Sequence, residues 1–495
     1  MNKIFNDLII FELANNHQGS VEHGKSIIKA LGNIIRKYDL NAAVKFQYRD
    51  LDTMIHPDFI GRADVKHIPR FLSTRLTPDQ FYEMAECVKN NGMHTMCTPF
   101  DEKSVDLIMD HGIEVIKVAS CSAVDWPLLE KIASTKKPVI LSTGGKNFAQ
   151  IDNIYNFMSH RNVDFAMLHC VGLYPVGDQF VQLNCIDKMM NRYPDIAIGY
   201  SGHENPNDFT IAQMAIAKGA KILERHVGMA TDTIELNAYS TDVKDIHKWI
   251  EEIIRARTIC GNPNNKYISL EEIQSMNELA RGCYAAVPIK QGDIIERNKV
   301  FFAMPCADGQ TTSGQYQDTM VASRDYEVNE AICEERKISL TGNFRSVIHD
   351  VKGMLYEAKI VIPKEFDLEI SHHYGMEHFR HYGCTMVSII NREYCKKILI
   401  VLPGQINPTH THKIKEETFQ VLSGSLNLTV LDRTYHLKPG EIFTVERNKP
   451  HSFTSTEGCV FEEVSSTHVR NDSYYDDPRI QEMDPMERKT ILKDW

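Results

Sequence analysis

Eight short apolar runs alternate with longer amphipathic stretches along the first ~230 residues, and this alternation constrains the fold more than any other feature. The runs are LIIFELA (8–14), AAVKFQ (42–47), HTMCTPF (94–100), EVIKVAS (114–120), PVILST (138–143), FAMLHCV (165–171), DIAIGYS (195–201) and KILERHV (221–227). Each has strand length. The sequence between most of them has helical spacing, as in PDQFYEMAECVKNNG (78–92) and EKSVDLIMDHG (102–112). Strands alternating with helices build a parallel sheet with helices on its faces. Eight repeats in this length predict closure into an α/β architecture, a (β/α)8 TIM barrel, rather than an open doubly wound sheet. Residues 49–76 form an insertion after the second run, predicted as a loop with a short helix near the barrel mouth.

The pattern then changes. A helix is predicted over 268–281, after the linker GNPNNK (261–266). The segment YAAVPIKQGDIIERNKVFF (284–302) predicts a small β-rich unit with a Gly-Asp turn, and 340–380 is mixed. From Cys384 onward, Gly-bounded strands at close spacing predict an antiparallel barrel or sandwich. The charged tail from Asn471 to Trp495 is expected to wrap a surface. The expected domains are 1–265, 280–340 and 345–495, in line with 495 residues at roughly 150 per domain.

Composition narrows the function. With 42% hydrophobic and 24% charged residues, wholesale disorder is excluded. A net charge of −11 without a basic stripe argues against nucleic acid as a partner. No run approaches the ~18 apolar residues of a membrane span, so no membrane partner is expected. The start, MNKIFNDLIIFELANN, is too short and too acidic for a signal peptide. Twelve cysteines without a CxxC pair read as reduced thiols, which points to a cytoplasmic location.

The active site of such a barrel lies at the carboxyl ends of its strands. Those ends carry Glu12 with Asn15, Asn16 and His17; Lys45 with Gln47; Thr98; Lys117 with Ser120; Ser142 with Thr143; His169, Gly172 and Tyr174; Ser201 with His203; and Glu224, Arg225 and His226. Lys45 and Lys117, expected on the solvent-exposed rim, suit a phosphate and a carboxylate as point charges. Thr98, Ser120, Ser142 and Ser201 offer hydroxyl donors to the same oxygens. His203 and His226 end adjacent strands, and two imidazoles facing one cavity suit a divalent metal, Mn or Mg. Glu12 is a candidate acid/base or substrate ligand, or alternatively a buried partner for one of the lysines.

The ordered motifs FELANNHQG, AVKFQ, CTPFD, IKVAS, ILSTGG, LHCVGLYP, IGYSGHE and ERHV resemble the sialic acid synthase family over residues 8 to about 230. RGCYAAVPIKQGDIIERNKVFF resembles that family's antifreeze-like (SAF) domain. The resemblance implies a C–C bond-forming transferase that condenses phosphoenolpyruvate with an aldose, in a domain-swapped homodimer. It implies that Lys45, Thr98, Lys117, Ser120, Ser142 and Ser201 match phosphoenolpyruvate-binding positions. His203 and His226 match metal ligands, and Glu12, Gln47 and Tyr174 match positions around the sugar. Three departures concern the aldose: Gly172, the segment ELNAYS (235–240) in place of a GPDH segment, and Met304 where an arginine linked with acylamino recognition is usual.

Residues 404–424 read GQINPTHTHKIKEETFQVLSG. His410 and His412 at i and i+2 share one strand face. Glu417 follows on the next strand, and His451 in NKPHSF supplies a fourth ligand. Three imidazoles and a carboxylate suit Mn, Fe, Zn or Ni with positions open to substrate. This pattern resembles the cupin superfamily, and the flanks (391–405, 461–480) resemble sugar isomerases of the D-lyxose isomerase type. Isomerisation would need a nearby carboxylate to move a proton, with Glu416, Glu462 and Glu463 as equal candidates. The competing readings are a chain that is mainly a metal-dependent sugar isomerase or epimerase, and a synthase with a non-catalytic, sugar-sensing cupin.

Overall fold

The computed structural model describes residues 2–62, 64–65, 67–262, 266–335, 340–469 and 471–493. Part of the expected linker (263–265), the end of the expected middle domain (336–339) and the last two residues lie outside these. The chain divides into two compact units, Met1–Tyr267 and Ile268–Trp495. Among the described residues no helix is long and apolar enough to cross a membrane, and all twelve cysteines are free thiols.

In the first unit, eight strands follow one another in order: β1 (Ile9–Glu12), β2 (Ala42–Tyr48), β3 (His94–Pro99), β4 (Val115–Val118), β5 (Val139–Ser142), β6 (Phe165–Cys170), β7 (Ala197–Gly202) and β8 (Ile222–Gly228). All pair in parallel, and β1 also pairs with β8, so the barrel is closed as expected. A short β9 (Thr241–Asp242) extends from the end of β8. The insertion after β2 holds two short helices, Leu51–Met54 and Ile68–Ser73, where one was expected.

Strand alternation sorts the side chains into two cores. Residues such as Phe11, Val44, Phe46, Ile116 and Leu141 point outward against the helices. Ile10, Ala43, Met96, Val115, Ile140 and Ile222 point inward and fill the lower barrel. With a period of two, the next inward residue on each of these strands is polar: Glu12, Lys45, Thr98, Lys117, Ser142 and Glu224. The polar layer therefore rests on an apolar plug. On β7 the packing is so close that a Cβ at Gly199 would lie 2.3 Å from the Ile222 carbonyl oxygen, which leaves room only for glycine.

The second unit begins with the helix Leu270–Leu279, shorter than the expected 268–281. β10 (Gly282–Ala285) and β11 (Val300–Ala303) then pair antiparallel over a small core that includes Cys283, Ile289, Ile295 and Tyr326. After the helix Leu340–Glu357 the chain is β-rich, with β12 (Asp367–Ser371), β13 (Cys384–Asn391), β14 (Tyr394–Val401), β15 (Ile406–Thr411), β16 (Glu417–Gly424), β17 (Leu426–Val430), β18 (Arg433–Leu437), β19 (Ile442–Val445), β20 (His451–Thr454), β21 (Cys459–Ser466), β22 (Tyr474–Tyr475) and β23 (Lys489–Lys493). They form a seven-stranded sheet, β19-β16-β21-β14-β13-β12-β23, and a five-stranded sheet, β18-β17-β20-β15-β22.

The tail does not merely wrap a surface. β22 pairs with β15 and β23 with β12, so each sheet ends on a tail strand. Asp472, 2% exposed, accepts hydrogen bonds from the backbone N–H groups of Lys413, Ile414 and Lys415 at 2.8–3.1 Å. These donors lie between two predicted metal ligands. Asp472→Ala removes the acceptor from all three, of which only the Lys415 donor is buried, and a hydrogen bond to a charged group is worth about 1.5–3 kcal/mol. Calorimetric unfolding should show the second unit destabilised by at least about 2 kcal/mol, with Asp472→Asn intermediate. An unchanged transition would show that this carboxylate does not hold the loop.

Candidate active site and metal centre

In the first unit, register assembles the polar layer. Glu12 lies opposite Lys45 on one side and His226 on the other, Gln47 opposite Thr98, and Ser201 opposite Glu224. Lys45 and Lys117 are buried, 4% and 1% exposed, not on an exposed rim as the sequence predicted. Closure directs strand-end side chains inward, above the plug, and the helices shield them.

Burial forces pairing. Lys45 Nζ lies 2.5 Å from Glu12 and 2.9 Å from Glu224. Lys117 Nζ lies 3.7 Å from Glu224 and donates to Ser142 Oγ at 2.5 Å. Ser201 Oγ donates to Glu224 at 2.8 Å. Burial works against the Lys45 ammonium, but Glu12 and Glu224 outweigh it and hold the pKa above the usual lysine range. Lys117 has less compensation, and burial pushes it down to about 8. Burial opposes the charge on Glu224 as well, yet Lys117 and Lys45 hold that carboxyl well below its ordinary range. Glu12 is fully engaged, because its other oxygen accepts from Ala14 N–H at 2.8 Å. Its place is that of a lysine partner, the alternative reading.

The remaining predicted residues surround this set. Gln47 donates to Glu12 at 3.3 Å, and Ser120 Oγ accepts from Gly144 N–H at 2.9 Å. Thr98 Oγ1 and Glu224 Oε2 are buried without a hydrogen-bond partner. His203 and His226 face each other with ring centroids 5.3 Å apart. Burial lowers both to about 3, helped by His226 in one case and Lys45 in the other, so both are neutral imidazoles. His203 Nδ1 bonds the Val171 carbonyl at 3.0 Å, which leaves the far nitrogen as a lone-pair donor, and His226 Nδ1 has no partner. Two such imidazoles fit a divalent ion whose other positions are filled by substrate and water oxygens. The rings of Tyr174 (4.0 Å from His203) and Tyr239 (5.1 Å from His226) frame them.

The structure adds two residues that the sequence reading did not select. Glu224 bridges both lysines, and Arg49 donates to Gln47 at 2.6 Å while its guanidinium lies over the Phe71 and Phe100 rings. Glu224 was visible as a strand-end carboxylate two residues before His226, hence on the same face. Arg225, between them, points outward and binds the loop after His203 through the Asn205 and Asp208 carbonyls.

In the second unit, His410, His412, Glu417 and His451 bring four ligand atoms within 4.8 Å of one another, all from buried side chains. Among the described residues this is the only group of three or more such side chains. His410 and His451 are direct cross-strand partners. Each histidine engages a backbone carbonyl through Nδ1: Pro408 at 3.0 Å, Asp472 at 2.7 Å and Lys449 at 3.1 Å. This turns every Nε2 toward the centre as a lone-pair donor. Glu417 Oε2 and His451 Nε2 are buried 3.0 Å from each other, and neither has another partner. The donor set fits a divalent transition metal.

Lys415, also unforeseen, ion-pairs with Glu417 and lies 3.1 Å from Glu463. The three carboxylates that were equal in sequence now differ. Glu416 is exposed, Glu462 points outward to Lys396 at 2.7 Å, and Glu463 is buried and lines the cavity with His410, His412 and Glu417. If both centres hold metal, equilibrium dialysis with Mn²⁺ should find two ions per chain, and one after His410→Ala with His412→Ala. Unchanged stoichiometry would exclude the cupin set.

Comparison with known proteins follows this division. The NeuB family model matches residues 40–265, and the cupin domain model matches 397–464. Human N-acetylneuraminate-9-phosphate synthase is 27% identical over 298 residues, which is 58% of this chain and 80% of that protein. Pseudaminic acid synthase of Campylobacter jejuni is 27% identical over 338 residues, 66% of this chain and 95% of that protein. A crystal structure described as spore coat polysaccharide biosynthesis protein E from Chromobacterium violaceum is 41% identical. It covers 66% of this chain and 97% of its own, with a TM-score of 0.62.

Proposed function

We propose that this chain, which belongs to the NeuB family, condenses phosphoenolpyruvate with an aldose in its barrel. The products are a 3-deoxy-2-ulosonic acid of the nonulosonic type and phosphate. The observation that carries this reading is the buried Lys45–Glu224–Lys117 set with its ring of hydroxyls. Lys117, depressed by burial, gains most from an incoming anion, and Thr98 Oγ1 has no protein partner.

The roles follow from placement. Lys45 and Lys117 hold the phosphate and carboxylate of phosphoenolpyruvate, and Thr98, Ser120, Ser142 and Ser201 donate to the same oxygens. Glu12 and Glu224 keep the lysines charged and oriented before substrate arrives, an electrostatic preorganisation. Gln47 and Tyr174 border the sugar. His203 and His226 would hold a divalent ion, which supplies Lewis-acid polarisation of the aldehyde oxygen. The C2=C3 electron pair of phosphoenolpyruvate bonds C3 to the aldehyde carbon, water adds at C2, and the C2–O bond to phosphate breaks with its pair on phosphate; the two protons of the water end on the former aldehyde oxygen and on phosphate. The domain-swapped homodimer implied by the family resemblance belongs to the same proposal.

Phosphate release from phosphoenolpyruvate across a panel of aldoses tests the reaction. Lys117→Met should weaken phosphoenolpyruvate binding about tenfold or more, because a charged hydrogen bond is worth about 1.5–3 kcal/mol. Lys117 has a lowered pKa, so it loses its charge as pH rises through about 8. Phosphoenolpyruvate affinity should therefore fall between pH 7 and 9 in the wild type and not in Lys117→Met. A pH-independent wild-type affinity would remove Lys117 from the anion site.

The aldose is expected to lack an N-acetyl group. The ELNAYS segment (235–240) and Met304 replace polar partners that an acylamino group would want, and a buried unpaired amide costs about 1–3 kcal/mol. A kcat/KM preference for N-acetylmannosamine over the unsubstituted aldose would overturn this.

A second reading concerns the cupin, and the complete ligand set beside Glu463 favours it. Here the cupin binds the barrel's sugar and interconverts it with a ketose or epimer. Glu463 would move the proton, and fusion would keep the two activities at high effective concentration. His410→Ala with His412→Ala should then keep condensation from the aldose and lose it from the ketose. If wild-type protein exchanges no solvent deuterium into any accepted sugar, the cupin only senses sugar or stabilises the fold.

A further inference from the structure

The cupin cavity carries more positive charge than its metal set requires. Lys397, Lys415, Arg488 and Lys489 line it against Glu369, Glu417 and Glu463. Cations thus outnumber carboxylates before a divalent ion is counted. Most of these charges are already satisfied. Lys415 pairs with Glu417 and Glu463, and Lys489 lies 3.5 Å from Glu369. Arg488 donates to the Ile480 carbonyl and lies over the Tyr475 ring.

Lys397 is the exception. It is 5% exposed, and among the described residues it makes no hydrogen bond and no ion pair within 4 Å. It faces the cavity from the centre of β14, directly across from Glu463 on β21. Glu369 and Glu463 feel its charge but do not touch it. Its ammonium opens toward the cavity with N–H donors that no protein acceptor takes up, and a full negative charge is the acceptor that compensates best. From the strand spacing, Lys397 and Glu417 lie on the order of 12 Å apart along the sheet.

We infer that the cupin cavity takes an acidic monosaccharide, whose carboxylate or phosphate rests on Lys397 while its hydroxyl or carbonyl oxygens face His410, His412, Glu417 and His451. The inference rests on the second reading above, that this cavity binds a sugar. It adds that the sugar is anionic. A neutral sugar would leave the Lys397 charge buried and unmatched.

The test is calorimetric titration of the full, Mn²⁺-loaded chain with glucose, glucuronate and glucose 6-phosphate. The same titrations on His410→Ala with His412→Ala subtract any binding in the barrel. At least one acidic probe should bind about tenfold or more tightly than glucose, and which one does so separates carboxylate from phosphate recognition. Lys397→Met should abolish the preference with metal content unchanged and the unfolding midpoint no lower, and Lys397→Arg should retain it. If Lys397→Met does not fold, the wild type and Lys397→Arg still decide. Glucose bound as tightly as both acids, or a preference that survives Lys397→Met, overturns the inference and leaves the sugar reading standing. If no probe binds above the double-variant background, both fall.

Discussion

Two lysines buried at the top of a closed barrel are the constraint around which the first unit is organised. An ammonium taken out of water costs several kcal/mol unless a carboxylate and hydrogen-bond acceptors meet it. Parallel register supplies them: β1 sits between β2 and β8, so Glu12 is level with Lys45 and with His226. Glu224, one inward step below His226, reaches both lysines. Without Glu224, Lys117 would keep only Ser142 and the Val118 carbonyl. The apolar plug beneath keeps water from the set from below, so its electrostatics act in a low dielectric, where fixed charges hold an anion strongly. The same burial keeps His203 and His226 neutral, and thus able to bind a metal, a few ångströms from two cations.

The two candidate centres solve one problem with different numbers of ligands. Both fix imidazoles by tying a ring nitrogen to a backbone carbonyl, His203 to Val171 and His412 to Asp472. The cupin offers three such imidazoles and a carboxylate, enough to retain an ion by itself. The barrel offers two imidazoles, of which only His203 is tied in this way, so an ion there would depend more on substrate oxygens. That difference accords with the proposal that a barrel ion would act on one transient carbonyl, whereas the cupin set would keep its ion.

Most of the barrel was legible because closure is insensitive to detail. Whatever the helices do, the last inward residue of each strand converges on one mouth, so reading strand ends was enough to find Lys45, Thr98, Lys117, Ser142, Ser201 and His226. Depth was not legible. A strand's sequence does not say how many layers of helix and loop lie over its end, so Lys45 and Lys117 were expected on an exposed rim. Nor was register, and without it Glu224 had no identifiable partner. In the cupin the difficulty was parity. Glu462 and Glu463, like Lys396 and Lys397, are adjacent charged residues, and only the inward packing of Phe461 and Leu399 decides which of each pair enters the cavity.

The tail shows why composition misleads at a chain end. Its charges suggested a solvated surface segment, yet they act singly and inward. The Asp472 carboxylate gathers three backbone N–H groups, and its carbonyl orients His412. Tyr475 stacks on His410 at 5.3 Å and bonds His373 through its hydroxyl. Arg488 and Lys489 complete the cavity wall. The metal-ligating histidines therefore come from β15, its following turn and β20, while part of what orients them comes from the last ~25 residues. A ligand set drawn from β15, its following turn, β16 and β20 depends on a segment that begins sixty residues after His412, because a neutral, correctly turned imidazole needs an acceptor behind it as much as a metal before it.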